Sequence, residues 1–482
     1  MNRIKAIIVC ATFFAELLIL LPMPTIAITL HSPIYIDGKA DFASKASKEG
    51  WVGNGSIGAP YIIENYDISA ITAHGIDIRN TKVYFIIRNC IIHDGISNKK
   101  DGIHLYNVTN GKIQNLGCYN NYNSIYLMYS SNNSISRNEI YNNSEGVNLY
   151  FSSNNNITSN QIYGNSKDGI HLTASTYNNI SENKIHNNSW DGICFHLSSK
   201  NEIISNWIYR NSEGVYLDSS SNNILKNNIL ENNTHNFGVD GPAIYSFYQE
   251  IDVSNKINGK PIYYIAKQNN LLFDESIAIG YLGLISCKNI TVKNLTINDN
   301  LQGLLLVDNS YSTIILNQIY KNHYGIYLFY SSFNNISANN IYNNFDGIYL
   351  SYSSNNNITS NQIYNNNEGI RFSYSLNNKI HYNGIYNNTN YGIYNSNKEP
   401  HCIENATHNW WGSACGPSGN GTGKGDRVSS NVLYKPWLIE PFAPQTIVKT
   451  SRKEEKPLLL IITIVIILIA VSVIITRKLR KK

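Results

Sequence analysis

Residues 324–388 repeat one pattern three times: YGIYLFYSSFNNISANNIYNN, FDGIYLSYSSNNNITSNQIYNN and NEGIRFSYSLNNKIHYNGIYNN, with Gly325, Gly347 and Gly369 falling 22 residues apart. A unit this short has no interior of its own, so each must bury its apolar face on the next, which requires a stacked solenoid. Within a unit, Ile348 and Leu350 alternate with polar or aromatic neighbours, and Ile358 and Ile363 follow in two further short runs after a Ser/Asn turn. Short β-branched runs of period two, broken by Gly, Ser and Asn, predict strands and exclude a helical solenoid. The expected fold class is all-β: a single-stranded right-handed parallel β-helix with N- and C-terminal caps, its coils about 4.8 Å apart, plus one C-terminal transmembrane helix.

Stacking turns identical positions into columns. Asn339, Asn361 and Asn383 form one, and Asn138, Asn160, Asn183, Asn206 and Asn227 read as its counterpart earlier in the chain. Asn tolerates left-handed backbone, and its amide can bond the Asn of the next coil, so these columns are expected to be structural. The glycine-type position recurs earlier at Gly102, Ser124, Gly146, Gly169, Gly192 and Gly214, which implies one long solenoid.

The chain divides accordingly. Residues 1–27, with Arg3 and Lys5 before an apolar run, read as a signal peptide, Glu16 leaving an uncleaved anchor as the alternative. Residues 28–60 read as an N-terminal cap with a short helix over 41–50, and 61–237 as β-helix coils. The register lapses over 238–283, read as enlarged coils projecting a loop, and coils resume over 284–412. The Trp- and Gly-rich stretch 413–446 is the expected C-terminal cap, 447–457 a linker, 458–475 a transmembrane helix of 18 uncharged apolar residues, and 476–482 a basic cytoplasmic tail. This orientation places the solenoid outside the cell membrane.

The formal charge of +5 is concentrated in the two ends, so the remainder is slightly acidic and offers no basic face for nucleic acid. Beyond the signal peptide the chain has six cysteines, too few to build the fold by disulfides. Asn-x-Ser/Thr sequons number about fifteen, among them Asn107, Asn156, Asn335, Asn357 and Asn405. They are glycosylation candidates on an exported chain.

The coil motif NxIYNNxxGIxLxxSSxNN, the opening GNGSIGAPYIIENYDI, the central INGKPIYYI with GLISCKNITVKNLTI, and the ending NWWGSACGPSG to PWL together resemble the NosD-type right-handed parallel β-helix proteins, in particular membrane-anchored archaeal surface members. The likeness spans about residues 34–440. It implies the fold and a place outside the membrane. It also raises a copper-handling role, for which this sequence shows no metal motif, and polysaccharide binding or cleavage, seen in some related β-helices.

Three groups of residues are candidate sites. Tyr330, Tyr352 and Tyr374 share a column, with Tyr327 and Tyr349 beside them, and stacked rings offer a platform for sugars. Glu145, Asp168, Asp191 and Glu213 precede the coil glycine in four successive coils, a pattern that recurs at Asp346 and Glu368. Ca²⁺ bridging adjacent carboxylates is one expectation for that column, and a solvated row of acids is the other. In the C-terminal cap, His401, Cys402, His408 and Cys415 offer imidazole and thiol donors, but their spacing matches no closed metal site, and a Cys402–Cys415 disulfide is the simpler reading. No residue stands out as catalytic. The expected role is a cell-surface binding or structural protein engaging glycans or neighbouring surface proteins, with a carbohydrate-active lyase or hydrolase as the alternative and a copper-handling accessory as the second.

Overall fold

The computed structural model describes residues 27–397 and 403–441. It is a right-handed parallel β-solenoid of about 15 turns. A typical coil has one long strand containing the glycine and two short ones, as in Tyr324–Phe329, Asn335–Ser337 and Asn340–Tyr342. We call the sheets these strands build the long, second and third sheets. Among the described residues no helix is long and apolar enough to cross a membrane. The expected span at 458–475, its linker and tail, and nearly all of the signal peptide lie outside the described residues.

Register is set by the inward side chains. Ile326, Ile348 and Ile370 lie directly over one another in the long sheet, and Ile336, Ile358 and Ile380 in the second. All six are fully buried. The glycine column has a different cause. A Cβ on Gly347 would lie 2.5 Å from the Gly369 carbonyl of the next coil, so only glycine allows that approach.

Every corner is lined by a ladder of polar side chains. Asn361 Nδ2 donates to Asn383 Oδ1 at 3.0 Å and to the Ile336 carbonyl at 2.8 Å, while its Oδ1 accepts from the backbone N–H of Asn339 at 2.9 Å. The residue just before a ladder Asn typically adopts a left-handed conformation, at φ 54° for Ala338 and 61° for Ser360. This corrects one reading of the column: Asn227 is the left-handed turn residue, and Asn228 accepts the ladder bond from Asn206. At the C-terminal end the ladders terminate on Glu404, Asn409 and Asp426, which accept the last N–H groups of Asn378, Asn383 and Asn388.

The N-terminal end is covered by the helix Gly38–Glu49, whose buried Phe42 stacks on Tyr61 at 4.8 Å. The C-terminal end is covered by Trp411, which is fully buried.

The solenoid comprises two stacks with two separate apolar cores. The first stack's long sheet ends with the strand His235–Asp240. The chain then crosses through Ile244–Phe247 and reaches Lys256–Ile257, the last strand of the first stack's third sheet. A hairpin pairs that strand antiparallel with Lys260–Ala266, which opens the long sheet of the second stack, so one 19-stranded sheet runs through both. Phe247, Ile257 and Tyr264 within the 238–283 segment are buried. The outward side chains Tyr281, Leu305, Val307, Tyr327 and Phe329 of the second stack's long sheet join the core of the first. Phe237 meets Tyr281 at 4.9 Å, Phe247 meets Phe329 at 5.2 Å, and Gln302 Nε2 donates to the Val239 carbonyl at 3.0 Å. The outer face of one stack thus closes the end of the other.

Candidate functional site

Beyond the joint, the same outer face carries polar and charged side chains. In register across the long sheet lie Tyr324, Asp346 and Glu368 in one column, and in the next Tyr327, whose ring enters the joint, followed by Tyr349, Arg371 and Tyr394. The Arg371 guanidinium lies over the Tyr349 ring at 5.1 Å and stands 3.6 Å from Asp346 and 3.9 Å from Glu368, beyond hydrogen-bond reach of both. Asp346 is fully buried and neither of its carboxyl oxygens has a hydrogen-bond partner. Burial, then the charge of Glu368, push its carboxyl up to about 7, with Arg371 opposing. Burial raises Glu368 as well, and burial followed by the charges of Asp240 and Asp346 raises the Tyr324 hydroxyl. Perturbed groups gathered on one face make it a candidate functional site.

This face continues into a depression of about 520 Å³ against the C-terminal cap, lined by Tyr391, Tyr394, Asn397, Asn420, Arg427 and Ser429 among others. Arg427 lies over the Tyr391 ring at 4.6 Å. Its volume is within the range of ordinary small-ligand sites.

The predicted aromatic residues divide by geometry. Tyr330, Tyr352 and Tyr374 stack at 4.8 Å with interplanar angles of 5° and 7°. Rings stacked this closely cover one another's faces, so the ladder shows solvent its edges and hydroxyls. The terminal ring, Tyr374, is 69 % exposed against 41 % for the other two. Tyr327 is buried at 4 %, and Tyr349 stacks on it at 5.0 Å. Two further ladders on the third sheet were not anticipated: His93, Tyr119, Tyr141, Tyr163, His186 and Tyr209 in the first stack, and Tyr320, Tyr342, Tyr364 and Tyr386 in the second. Arg371, in register with Tyr349 and Tyr394, was also missed.

The acid column on the first stack is interrupted by basic groups. Glu145 pairs with Lys167 at 3.1 Å, Asp168 with His171 at 2.7 Å, and Glu213 approaches His235 at 3.9 Å. Asp191 has no such neighbour. Burial, then the charges of Glu213 and Asp168, raise its carboxyl to about 8. Two groups bring metal-type donors within 4.8 Å of one another: His74, Asp101 and His104, and Asp168, His171 and Cys194. Counting one column over from the acids would have found the second. Cys415 is exposed, while its expected partner Cys402, with His401, lies outside the described residues. Among the glycosylation candidates, Asn107, Asn357 and Asn405 are exposed, and Asn156 and Asn335 are half-buried.

The sequence profile described as "Periplasmic copper-binding protein (NosD)" matches residues 52–260 and 245–409. The chain belongs to the NosD family. No curated protein is significantly similar to it in sequence. Among solved structures, this NosD-family chain is similar to the A-module of an Azotobacter vinelandii mannuronan C-5 epimerase (15 % identity, TM-score 0.29, covering 70 % of this chain and 91 % of that one). It is also similar to a DFA-IIIase from Arthrobacter chlorophenolicus (10 %, 0.30, 62 % and 80 %). A third likeness is to the catalytic domain of an α-1,3-glucanase (13 %, 0.33, 77 % and 63 %). Likenesses this distant say nothing of what the NosD-family chain acts on. The family description names copper, and the imidazole, carboxylate and thiol donors of the two clusters suit a borderline divalent ion without selecting copper over zinc.

Proposed function

We propose that this NosD-family protein is a membrane-anchored cell-surface β-helix whose solenoid binds polysaccharide. The binding site is the outer face of the second stack, from Tyr349 and Arg371 into the depression beside the cap. The observation that carries this reading is the depression itself, where two tyrosines and Arg427 stand among Asn and Ser side chains. Flat apolar rings beside amides and hydroxyls match the alternating CH and OH surfaces of a sugar. Asp346 and Glu368 support a second reading, in which the same face cleaves the glycan, because a carboxyl protonated near neutral pH can act as a general acid.

A polysaccharide array with product detection tests both. Tyr394→Ala and Arg427→Ala are expected to weaken binding at least tenfold, whereas Tyr352→Ala, which removes a ring edge in the ladder, leaves it nearly unchanged. Absence of any bound glycan, or equal binding by all four proteins, refutes the proposal; released product decides for the enzymatic reading.

The anchor is tested separately. Protease added to intact cells is expected to cut within 447–457 and release the solenoid. A solenoid protected in intact cells but cut after lysis would reverse the proposed orientation.

A further inference from the structure

We propose that Asp168, His171 and Cys194 form a binding site for a zinc-type divalent metal ion on the outer face of the first stack. This site is separate from the glycan face and does not depend on it. Asp168 precedes the coil glycine, His171 is the first outward residue of the following strand, and Cys194 lies directly over His171 in the next coil. A carboxylate oxygen, a ring nitrogen and the sulfur therefore come within 4.8 Å of one another.

The donors are held in place. Asp168 is 3 % exposed and Cys194 9 %. The Asp168 carboxylate accepts the backbone N–H of Asp191 through Oδ1 at 3.0 Å and contacts His171 Nδ1 through Oδ2 at 2.7 Å. The other nitrogen of His171 lies 3.0 Å from the Thr173 hydroxyl. Zinc bonds of about 2.0–2.3 Å to O, N and S place donor pairs roughly 3–4 Å apart, so small rearrangements suffice to close the trio around an ion.

Donor chemistry decides the class of metal. Ca²⁺ seeks six to eight oxygens, and this trio offers one carboxylate beside nitrogen and sulfur. One oxygen, one nitrogen and one thiolate suit zinc, with the fourth position left for water or a ligand. Cys194 would bind as the thiolate, its proton passing to water. The carboxylate of Glu213, two coils on, adds a field that draws cations in. The group at His74, Asp101 and His104 offers two imidazoles and a carboxylate but no thiolate.

The full-length protein, stripped with chelator, would be titrated with Co²⁺ and then Zn²⁺. One equivalent of Co²⁺ is expected to produce a thiolate-to-cobalt charge-transfer absorption that one equivalent of Zn²⁺ abolishes. Zinc should also slow alkylation of Cys194, a readout that needs no variant. Cys194→Ser should lose the absorption and bind zinc more weakly by at least the ~100-fold that loss of an outer-shell partner alone can cost. Asp168→Asn should weaken zinc as well, and Cys287→Ser should change nothing. No absorption in the wild type, an absorption that survives Cys194→Ser, alkylation indifferent to zinc, or uptake of Cu²⁺ but not Zn²⁺ would overturn the assignment.

Discussion

Asn361→Leu is expected to lower stability by several kcal/mol and to loosen the coils on both sides, although leucine is apolar and close in size. Asn361 is fully buried. Its amide donates to the Ile336 and Thr359 carbonyls and to Asn383 Oδ1, and its own oxygen accepts from the backbone and side chain of Asn339. Leucine replaces none of these bonds, and each polar group stranded away from water costs about 1–3 kcal/mol. Asn357→Leu, four residues away on the exposed side of the same coil, should stay within about 0.5 kcal/mol of wild type. Chemical denaturation followed by circular dichroism compares the two. Equal midpoints for both variants would mean that the ladder contributes little to stability.

The second large effect concerns pH. Asp346 faces Glu368 and Arg371, with Tyr324 and Tyr349 nearby, and its carboxyl sits near 7 against an ordinary 3.8. Between those values the native state keeps a proton that the unfolded chain has lost. Stability from this group is therefore greatest at low pH, falls as pH rises from about 4 to about 7, and is fully lost above that. At roughly 1.4 kcal/mol per pH unit the effect amounts to a few kcal/mol. Burial raises Glu404 to about 7 and, joined by neighbouring acids, Asp191 to about 8, so both slope the same way. The wild type should melt at a higher temperature at pH 5 than at pH 8. Asp346→Asn should raise the melting temperature at pH 8 and flatten the slope. An unchanged slope in the variant would show that Asp346 is ionised in the native protein.

The chain's repeats make much of the solenoid legible in the sequence. A 22-residue period, alternating Ile and Leu, a glycine that cannot carry a Cβ and an Asn at each corner are local rules, and stacking like on like repeats each rule in every coil. The column of Tyr330, Tyr352 and Tyr374 followed from counting alone. That the rings lie face to face, leaving mainly edges and the terminal Tyr374 to solvent, did not, because ring orientation depends on the coil spacing and the packing of neighbours. Asp168 was singled out as an acid in a row of acids, and its role changes once His171 and Cys194 are seen to lie across the strand.

By itself the sequence determined the coil, its three strands and the residues that point inward, because each coil contacts only neighbours nearly identical to itself. The tertiary structure alone decided that the hairpin joining Lys256–Ile257 to Lys260–Ala266 turns one stack's third sheet into the other's long sheet. It also decided that Leu305, Val307 and Phe329 then bury against the end of the first stack, with Tyr349 half-buried at its margin, while Arg371 and Tyr394 lie half-exposed beyond it. The physical reason is that the joint depends on long-range packing of one irregular segment against distant strands, and such packing leaves no periodic signal in the chain.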